Sequence, residues 1–244
     1  MRAKPAEAAE MVSQVLFGEG YHILEVREQW ARVQTVFDNY TGWVDAKLLQ
    51  PQDAEVVEAW AADAGRRPLA ERFAQVVPDG APAPMLLSAG SEIFGVADDA
   101  SSAVMCGRRY DLGGLCAAPP LGNPARAALS MLGTPYLWGG RTFFGIDCSG
   151  LVQIAFKMCR KALPRDASEQ VLLGSEIPLA QAAEGDVAFF QRPSGAVCHV
   201  GICMGGGKIV HASGAVRTDT LDEKGIYNFE RQQYTHKLLC IKRM

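Results

Sequence analysis

The chain has 244 residues, of which 48% are apolar and 21% are charged, and its formal net charge is −3. This apolar fraction is ordinary for globular proteins and excludes a disordered chain, while the length allows one or two domains or three small ones. The apolar runs are far shorter than the roughly 18 residues that cross a bilayer, which excludes a membrane-spanning helix.

The charge is divided unevenly along the chain. Residues 1–120 carry 10 basic and 17 acidic side chains, whereas residues 121–244 carry 14 basic and 10 acidic ones. An acidic front half argues against nucleic acid as a partner and favours a cationic or amine-bearing ligand. Solvated surface charge is the ordinary alternative explanation of the same imbalance.

The cysteine count and the N-terminus bear on the compartment. Seven cysteines without CxxC spacing are atypical of a disulfide framework and suit a reducing environment. The first 14 residues contain no apolar segment of the kind that a signal peptide needs. We therefore expect a cytoplasmic protein, or a periplasmic or secreted one if a leader has been removed.

The front half of the chain predicts two small β modules joined by a helix. Residues 1–50 alternate apolar and polar side chains in short segments, QVLFGEG among them, that glycine-containing turns separate. Residues 51–65 are Ala-rich, with apolar residues at helical spacing, and predict a helical connector. Residues 66–120 return to the strand pattern and predict a second β module that ends at Pro119-Pro120.

The remainder, residues 121–244, predicts an α+β domain with helices ahead of an antiparallel sheet. Asn123 and Pro124 are typical of a helix start, and a second, buried helix is predicted to begin at Cys148. Four strands follow, in the segments DVAFFQ, CHVGICMG, KIVHASG and HKLLCIKRM.

One cysteine and two histidines in this domain form a candidate catalytic set. Cys148 opens a helix, where the positive end of the helix dipole favours the thiolate and lowers the thiol pKa. His199 and His211 lie on two predicted neighbouring strands, so that one ring can act as a base and the other can orient it. Taken singly, such residues are more often a small buried cysteine and hydrogen-bonded core histidines.

A zinc site is a more specific alternative to the catalytic set, since Cys198, His199, Cys203 and His211 are close in sequence. Adjacent residues on a strand point to opposite faces, and neither CxxC nor HxxxH spacing is present. We therefore predict no metal.

The strings PYLWGGRTFFGIDCSGLVQ, CHVGI and IVHASG, with PRDASEQ and GDVAFF between or beside them, resemble the NlpC-type family of cell-wall cysteine peptidases. The resemblance covers roughly residues 123–244 and implies a compact papain-like fold without a cofactor. It implies that Cys148 is the nucleophile, that His199 is the general base and acid, and that His211 orients His199. The hydroxyl of Tyr136 and the backbone N–H of Cys148 are then the expected oxyanion donors.

The small β modules resemble bacterial SH3 modules, and the whole layout is similar to that of γ-D-glutamyl-L-diamino acid endopeptidases. This resemblance implies hydrolysis of the γ-D-glutamyl–diamino acid bond of murein stem peptides with a free N-terminal L-Ala, releasing L-Ala-γ-D-Glu during cell-wall peptide recycling. A buried ammonium must be paired and hydrogen-bonded, so a carboxylate–Tyr–carboxylate pocket selects a free N-terminus. The implied substrate-binding residues are Asp147, Ser149 and Ser168, with Tyr40 and Glu10 of the first module, Glu19 being the alternative acid.

Structural roles compete with these assignments, because Asp147, Ser149 and Ser168 are all residue types that cap helices and turns. The functional alternatives are an SH3-targeted endopeptidase or amidase that acts on intact peptidoglycan, and a non-catalytic protein that binds murein peptides. All of these predict a murein-derived partner, with neither nucleic acid nor a membrane span.

Overall fold

A computed structural model describes residues 1–113, 115 and 121–244 of the chain. The chain divides into two compact units, residues 1–120 and residues 121–244. The predicted module end at Pro119-Pro120 lies outside the described residues, as does Cys116. None of the described helices combines the length and the apolar content that crossing a membrane requires.

The first unit begins with a three-stranded antiparallel sheet. Trp30, Val33 and Trp43 are buried in it. The N-terminus pairs with the third strand, because the backbone N–H of Arg2 donates to the carbonyl of Trp43 and the reverse bond also forms. The segment QVLFGEG, predicted as a strand, is loop instead. The strands are β1 (Tyr21–Arg27), β2 (Trp30–Thr35) and β3 (Thr41–Asp45), paired in that order.

In the described part of the first unit, one α-helix and six short strands follow this sheet. Helix α1 (Ala54–Ala62) buries Trp60, whose indole N–H donates to the carbonyl of Gly18 at 3.1 Å. Gly20 lies so close to this ring that a Cβ would stand 2.5 Å from it, which explains a glycine there. Buried Val76, Leu87 and Met105 belong to the core of this part, whose identity as a second SH3 module stays a prediction. The strands are β4 (Arg67–Pro68), β5 (Phe73–Pro78), β6 (Met85–Ser88), β7 (Glu92–Ile93), β8 (Ser102–Met105) and β9 (Arg108–Asp111), with β4 paired to β7 and the others in the order β6-β5-β9-β8.

The second unit opens with helices and a short hairpin. Asn123 caps the first helix as predicted, its side-chain oxygen accepting the backbone N–H of Ala125 at 2.8 Å. The helix that begins at Cys148 is buried along its whole length and packs against the first helix of the unit and the sheet. The elements are α2 (Pro124–Ser130), β10 (Arg141–Thr142), β11 (Gly145–Ile146), α3 (Cys148–Met158) and α4 (Ala167–Gln170).

The predicted antiparallel sheet of this unit closes into a barrel and has more strands than the four that the sequence predicts. All four predicted segments are strands, but two further strands follow KIVHASG, and the second of them pairs with the last strand of the chain. The strands are β12 (Ser175–Ile177), β13 (Val187–Gln191), β14 (Val197–Gly205), β15 (Lys208–Ser213), β16 (Ala215–Asp222), β17 (Gly225–Asn228) and β18 (Gln233–Arg243). Six of them close the ring in the order β18-β13-β14-β15-β16-β17, and β12 lies outside it on β18.

Candidate active site

Cys148 is the first residue of α3, where its sulfur faces strand β14. The backbone N–H groups of Val200 and Ser149 hydrogen-bond to the sulfur, so the thiol lies beside the residue that follows His199. The side chain of Asp147 caps the helix by accepting the backbone N–H of Gly150 at 2.7 Å. The site therefore joins the helix start to the middle of the barrel.

The glycines around Cys148 are set by close backbone packing. A Cβ on Gly150 would stand 2.3 Å from the carbonyl oxygen of Gly140, so the loop that contains WGG and the turn of DCSG can approach only without side chains. The backbone N–H of Gly139 also donates to Asp147 Oδ2 at 2.8 Å. The hydrogen bond from Gly139 to Asp147 and the close approach of Gly150 to Gly140 thus connect the WGG segment to the DCSG segment.

His199 and His211 lie on the adjacent strands β14 and β15, as predicted. His199 Nε2 is 2.8 Å from His211 Nδ1, and both residues are buried. Gly201 stands directly opposite His211 in the register, and a Cβ at this position would be 2.8 Å from the Cβ of His211. The glycine gives His211 the room to reach across to His199.

Two residues of this cluster were not predicted from the sequence. Asp219 on β16 accepts from His211, with 3.0 Å between Oδ2 and Nε2. His236 on β18 stacks on the ring of His199, with centroids 4.0 Å apart and planes inclined by 23°. A signal for Asp219 does exist, since it occupies an inward position of β16 next to buried Leu221.

The electrostatics around Cys148 and His199 favour the neutral forms of both reacting groups. Burial, reinforced by the Asp147 carboxylate, raises the pKa of the Cys148 thiol to about 12. Burial, with the nearby His236 and His211, holds the pKa of His199 well below its ordinary value. The upward direction is opposite to the lowered thiol pKa expected from the helix start, and desolvation is its largest cause. Both directions favour a thiol and a neutral imidazole at rest.

Tyr136 precedes the hairpin β10–β11, and its backbone N–H donates to the carbonyl of Gly214 at 2.9 Å. Burial and the nearby Cys148 and Asp147 raise the pKa of its phenol to about 12. The hydroxyl thus keeps its proton at neutral pH and can donate a hydrogen bond. Its role at the oxyanion stays a prediction.

The predicted substrate-binding residues Asp147 and Ser149 form a buried network with Arg165. The guanidinium of Arg165 donates to both carboxylate oxygens of Asp147, at 2.6 and 3.1 Å, and to Ser149 Oγ at 2.8 Å. The capping role of Asp147 is therefore present, and its substrate role stays a prediction. Ser168 lies exposed in α4, near which Gln170 Nε2 donates to the carbonyl of Ser149 at 3.1 Å.

The predicted amine-binding residues of the first module belong to the first unit. Tyr40 is half-buried, and its backbone N–H donates to the hydroxyl oxygen of Thr35 at 3.1 Å. Glu10 is exposed, whereas Glu19 is buried and accepts the backbone N–H of Leu16 at 2.8 Å. Their contribution to substrate binding stays a prediction.

The alternative zinc set does not assemble in the part of the chain that the structure describes. Cys198 is exposed while its neighbour His199 is buried, as opposite faces of a strand require. Across the described ranges, no three His, Cys, Asp or Glu side chains are placed to hold a metal ion.

Two segments of the chain match known protein families. Residues 133–235 match the NlpC/P60 family, and residues 1–49 match the bacterial dipeptidyl-peptidase Sh3 domain. Gamma-D-glutamyl-L-lysine dipeptidyl-peptidase of Bacillus subtilis (strain 168) is 46% identical over 83 residues, which are 33% of this chain and 28% of that protein. Dipeptidyl-peptidase 6 of Lysinibacillus sphaericus is 28% identical over 250 residues, covering 91% of this chain and 88% of its own length.

A solved structure agrees in fold. An NlpC/P60 family protein from Bacillus cereus ATCC 10987 has a TM-score of 0.79 at 20% identity, over 95% of this chain and 81% of that one. The predicted combination of a papain-like peptidase fold with an SH3-like module is thereby confirmed, while the count of two SH3 modules stays a prediction. The chain carries an NlpC/P60 domain, the domain of a family of cysteine peptidases, behind a bacterial SH3 domain.

Proposed function

We propose that this chain is a cysteine peptidase that cleaves the γ-D-glutamyl–diamino acid bond of murein-derived peptides with a free N-terminal L-Ala. The observation that carries the proposal is the placement of the Cys148 sulfur beside strand β14, one residue from His199, with His211 bonded behind it. The name of one relative, gamma-D-glutamyl-L-lysine dipeptidyl-peptidase, supports the substrate class.

The reaction begins from the neutral thiol and imidazole. His199 takes the proton of Cys148 as the sulfur attacks the γ-carbonyl carbon of D-Glu, and the C–N bond keeps its electrons until the tetrahedral intermediate collapses. The oxyanion accepts hydrogen bonds from the backbone N–H of Cys148 and from the hydroxyl of Tyr136. Protonated His199 then gives its proton to the leaving amine of the diamino acid.

Water completes the cycle. His199, neutral again, takes a proton from water as the oxygen attacks the thioester carbon, and the returning proton restores the thiol of Cys148. The products are the dipeptide of L-Ala and D-Glu and the shortened remainder of the stem. Because the substrate is a released fragment with a free amine, we place the reaction in the recycling of cell-wall peptides.

Selection for a free N-terminus belongs to the same proposal. Asp147, Tyr40 and Glu10 are its amine-binding residues, on the strength of the resemblance to γ-D-glutamyl-L-diamino acid endopeptidases. An unpaired buried ammonium is strongly disfavoured, so a carboxylate partner is what such a site requires. The acidic excess of residues 1–120 is consistent with a cationic end of the substrate.

Mass spectrometry of the products tests the proposal. The protein is incubated with L-Ala-γ-D-Glu-diaminopimelate and with the same peptide N-acetylated. We expect cleavage of the free-amine peptide alone, and we expect Cys148→Ala to abolish turnover while peptide binding remains. Equal cleavage of both peptides contradicts amine selection and favours an endopeptidase of the intact wall. Binding of the free peptide without cleavage by the wild type contradicts the enzyme and favours a binding protein.

A further inference from the structure

The chain of hydrogen bonds behind His199 does not end at His211, because it continues to a buried carboxylate. Asp219 is 7% exposed and lies on β16, the strand next to that of His211. Its oxygen Oδ2 is 3.0 Å from His211 Nε2. The hydrogen bonds therefore connect a series of three groups, which are the imidazole of His199, the imidazole of His211 and the carboxylate of Asp219.

Asp219 can act only as an acceptor in this series. The guanidinium of Arg217 donates to Oδ2 at 2.9 Å and to Oδ1 at 3.3 Å, and Asn228 Nδ2 donates to both oxygens at 3.3 and 3.4 Å. Burial alone raises the pKa of Asp219, but hydrogen bonds from His211 and Arg217 outweigh it and hold the pKa below its ordinary value. The group is an ionised carboxylate without a proton to donate.

The proton positions on both rings follow from this acceptor. Since the carboxylate only accepts, His211 Nε2 must carry the proton, and a neutral ring then has a bare Nδ1. The 2.8 Å contact of that Nδ1 requires a donor, so His199 Nε2 carries a proton as well. The other nitrogen of His199, Nδ1, is left with a free lone pair.

We propose that Asp219 is a positioning residue that fixes the tautomers of His211 and His199 and so leaves Nδ1 of His199 as the nitrogen that takes the thiol proton. Arg217 and Asn228 hold the carboxylate in place for this purpose. Without Asp219, His211 is free to place its proton on Nδ1 and donate it to His199. The proton of His199 then moves to Nδ1 and the base is lost. The kinetic part of this inference rests on the proposed peptidase function.

The test combines kinetics with imidazole ¹⁵N NMR of the whole chain. For Asp219→Asn we expect kcat on L-Ala-γ-D-Glu-diaminopimelate to fall on the order of 10²- to 10⁴-fold, as for loss of an orienting carboxylate in other triads, with KM changed less than about 3-fold. The ¹⁵N shifts should show both rings protonated at Nε2 in the wild type and a population of Nδ1-protonated His211 in the variant.

Asp222→Asn is the matched control, because Asp222 ends the same strand and accepts from the backbone N–H of Lys224 at 2.8 Å, not from a histidine. We expect it to keep wild-type kinetics and tautomers. Unchanged kcat in Asp219→Asn overturns the proposal. A wild-type spectrum with the His211 proton on Nδ1 also overturns it, whether or not the variant folds. If the wild type cleaves no γ-glutamyl peptide, the proposed function fails while the spectrum still decides the tautomers.

Discussion

Cys148 shows at the scale of one residue how two opposing effects decide a protonation state. The start of a helix favours a thiolate, but the sulfur is buried and stands beside the Asp147 carboxylate, which raises the thiol pKa to about 12. The mechanism must then remove the proton during the attack rather than before it. This makes the proton affinity and orientation of His199 the controlling properties of the site.

The alkylation rate of Cys148 as a function of pH measures this directly. A thiol with a pKa of about 12 gains thiolate continuously, so we expect the rate of modification by iodoacetamide to rise about tenfold per pH unit from pH 6 to pH 9. Mass spectrometry of the Cys148 peptide gives the rate, and the exposed thiol of Cys198 in the same digest is the internal reference. A rate that is already constant between pH 6 and pH 8 contradicts the neutral pair and indicates a preformed thiolate.

The sequence predicts the residues of the site that lie in short local motifs, whereas Asp219 and His236 were not predicted. Cys148, His199 and His211 could be found because helix-start chemistry and two short strands are readable within about a dozen residues. His236 reaches the site because β18, the last strand of the chain, pairs with β13 and closes the barrel. Asp219 lies only eight residues after His211 on the next strand, and its inward position beside Leu221 is a local signal that the alternation of β16 contains.

At the scale of the elements, strands β14 and β15 must approach closely for the imidazoles to meet. Gly201→Ala tests this requirement, because the added Cβ would stand 2.8 Å from the Cβ of His211 and 2.8 Å from Ile209 Cδ1. We expect the free energy of unfolding to fall by about 1–3 kcal/mol, as for other overpacked cores, and kcat to fall as His211 is displaced. Chemical denaturation and steady-state kinetics measure the two effects.

Gly122→Ala is the matched control for this prediction, since among the described residues no heavy atom lies within 4 Å of a Cβ at Gly122, and the residue lies in the same unit. We expect it to retain wild-type stability and turnover. Wild-type stability and kcat of Gly201→Ala would contradict the prediction and show that β15 can shift without displacing the histidines.

At the scale of the whole molecule, elements with their own local sequence pattern could be predicted, whereas strand pairings between distant parts of the chain could not. The helix α3 and the strands that contain CHVGICMG and IVHASG were predictable because each has its own apolar pattern. Closure of the barrel was not, because β17 has four residues and its partner β18 lies after a turn at the end of the chain. The pairing of β17 with β18 depends on the whole set of barrel strands. The strand propensity of a few consecutive residues contains little information about such a pairing.

An ion pair between Arg243 and Asp186 connects the end of β18 to the residue before β13, and it gives the last prediction. Arg243 at the end of β18 donates from Nε to Asp186 Oδ1 at 2.9 Å and from its terminal nitrogen to Oδ2 at 2.8 Å. Asp186 is 6% exposed at its side chain, and burial by itself raises its pKa. The hydrogen bonds from Arg243 and from the backbone of Ala183 outweigh burial and hold the pKa of Asp186 below its ordinary value.

A carboxyl group whose pKa is lowered by folding stabilises the protein above its ordinary pKa, and that contribution disappears as the pH falls through the folded value. We therefore expect Arg243→Gln to lower the urea midpoint at pH 7, where Asp186 is left charged and buried. We expect a smaller loss at acid pH, where the buried carboxyl group without Arg243 becomes protonated. Lys242→Gln is the control, because Lys242 lies 3.5 Å from an exposed Glu176 carboxylate and such surface pairs contribute about 0–1 kcal/mol. An equal loss at both pH values would show that Arg243 stabilises the barrel through packing of its side chain, without dependence on the charge of Asp186.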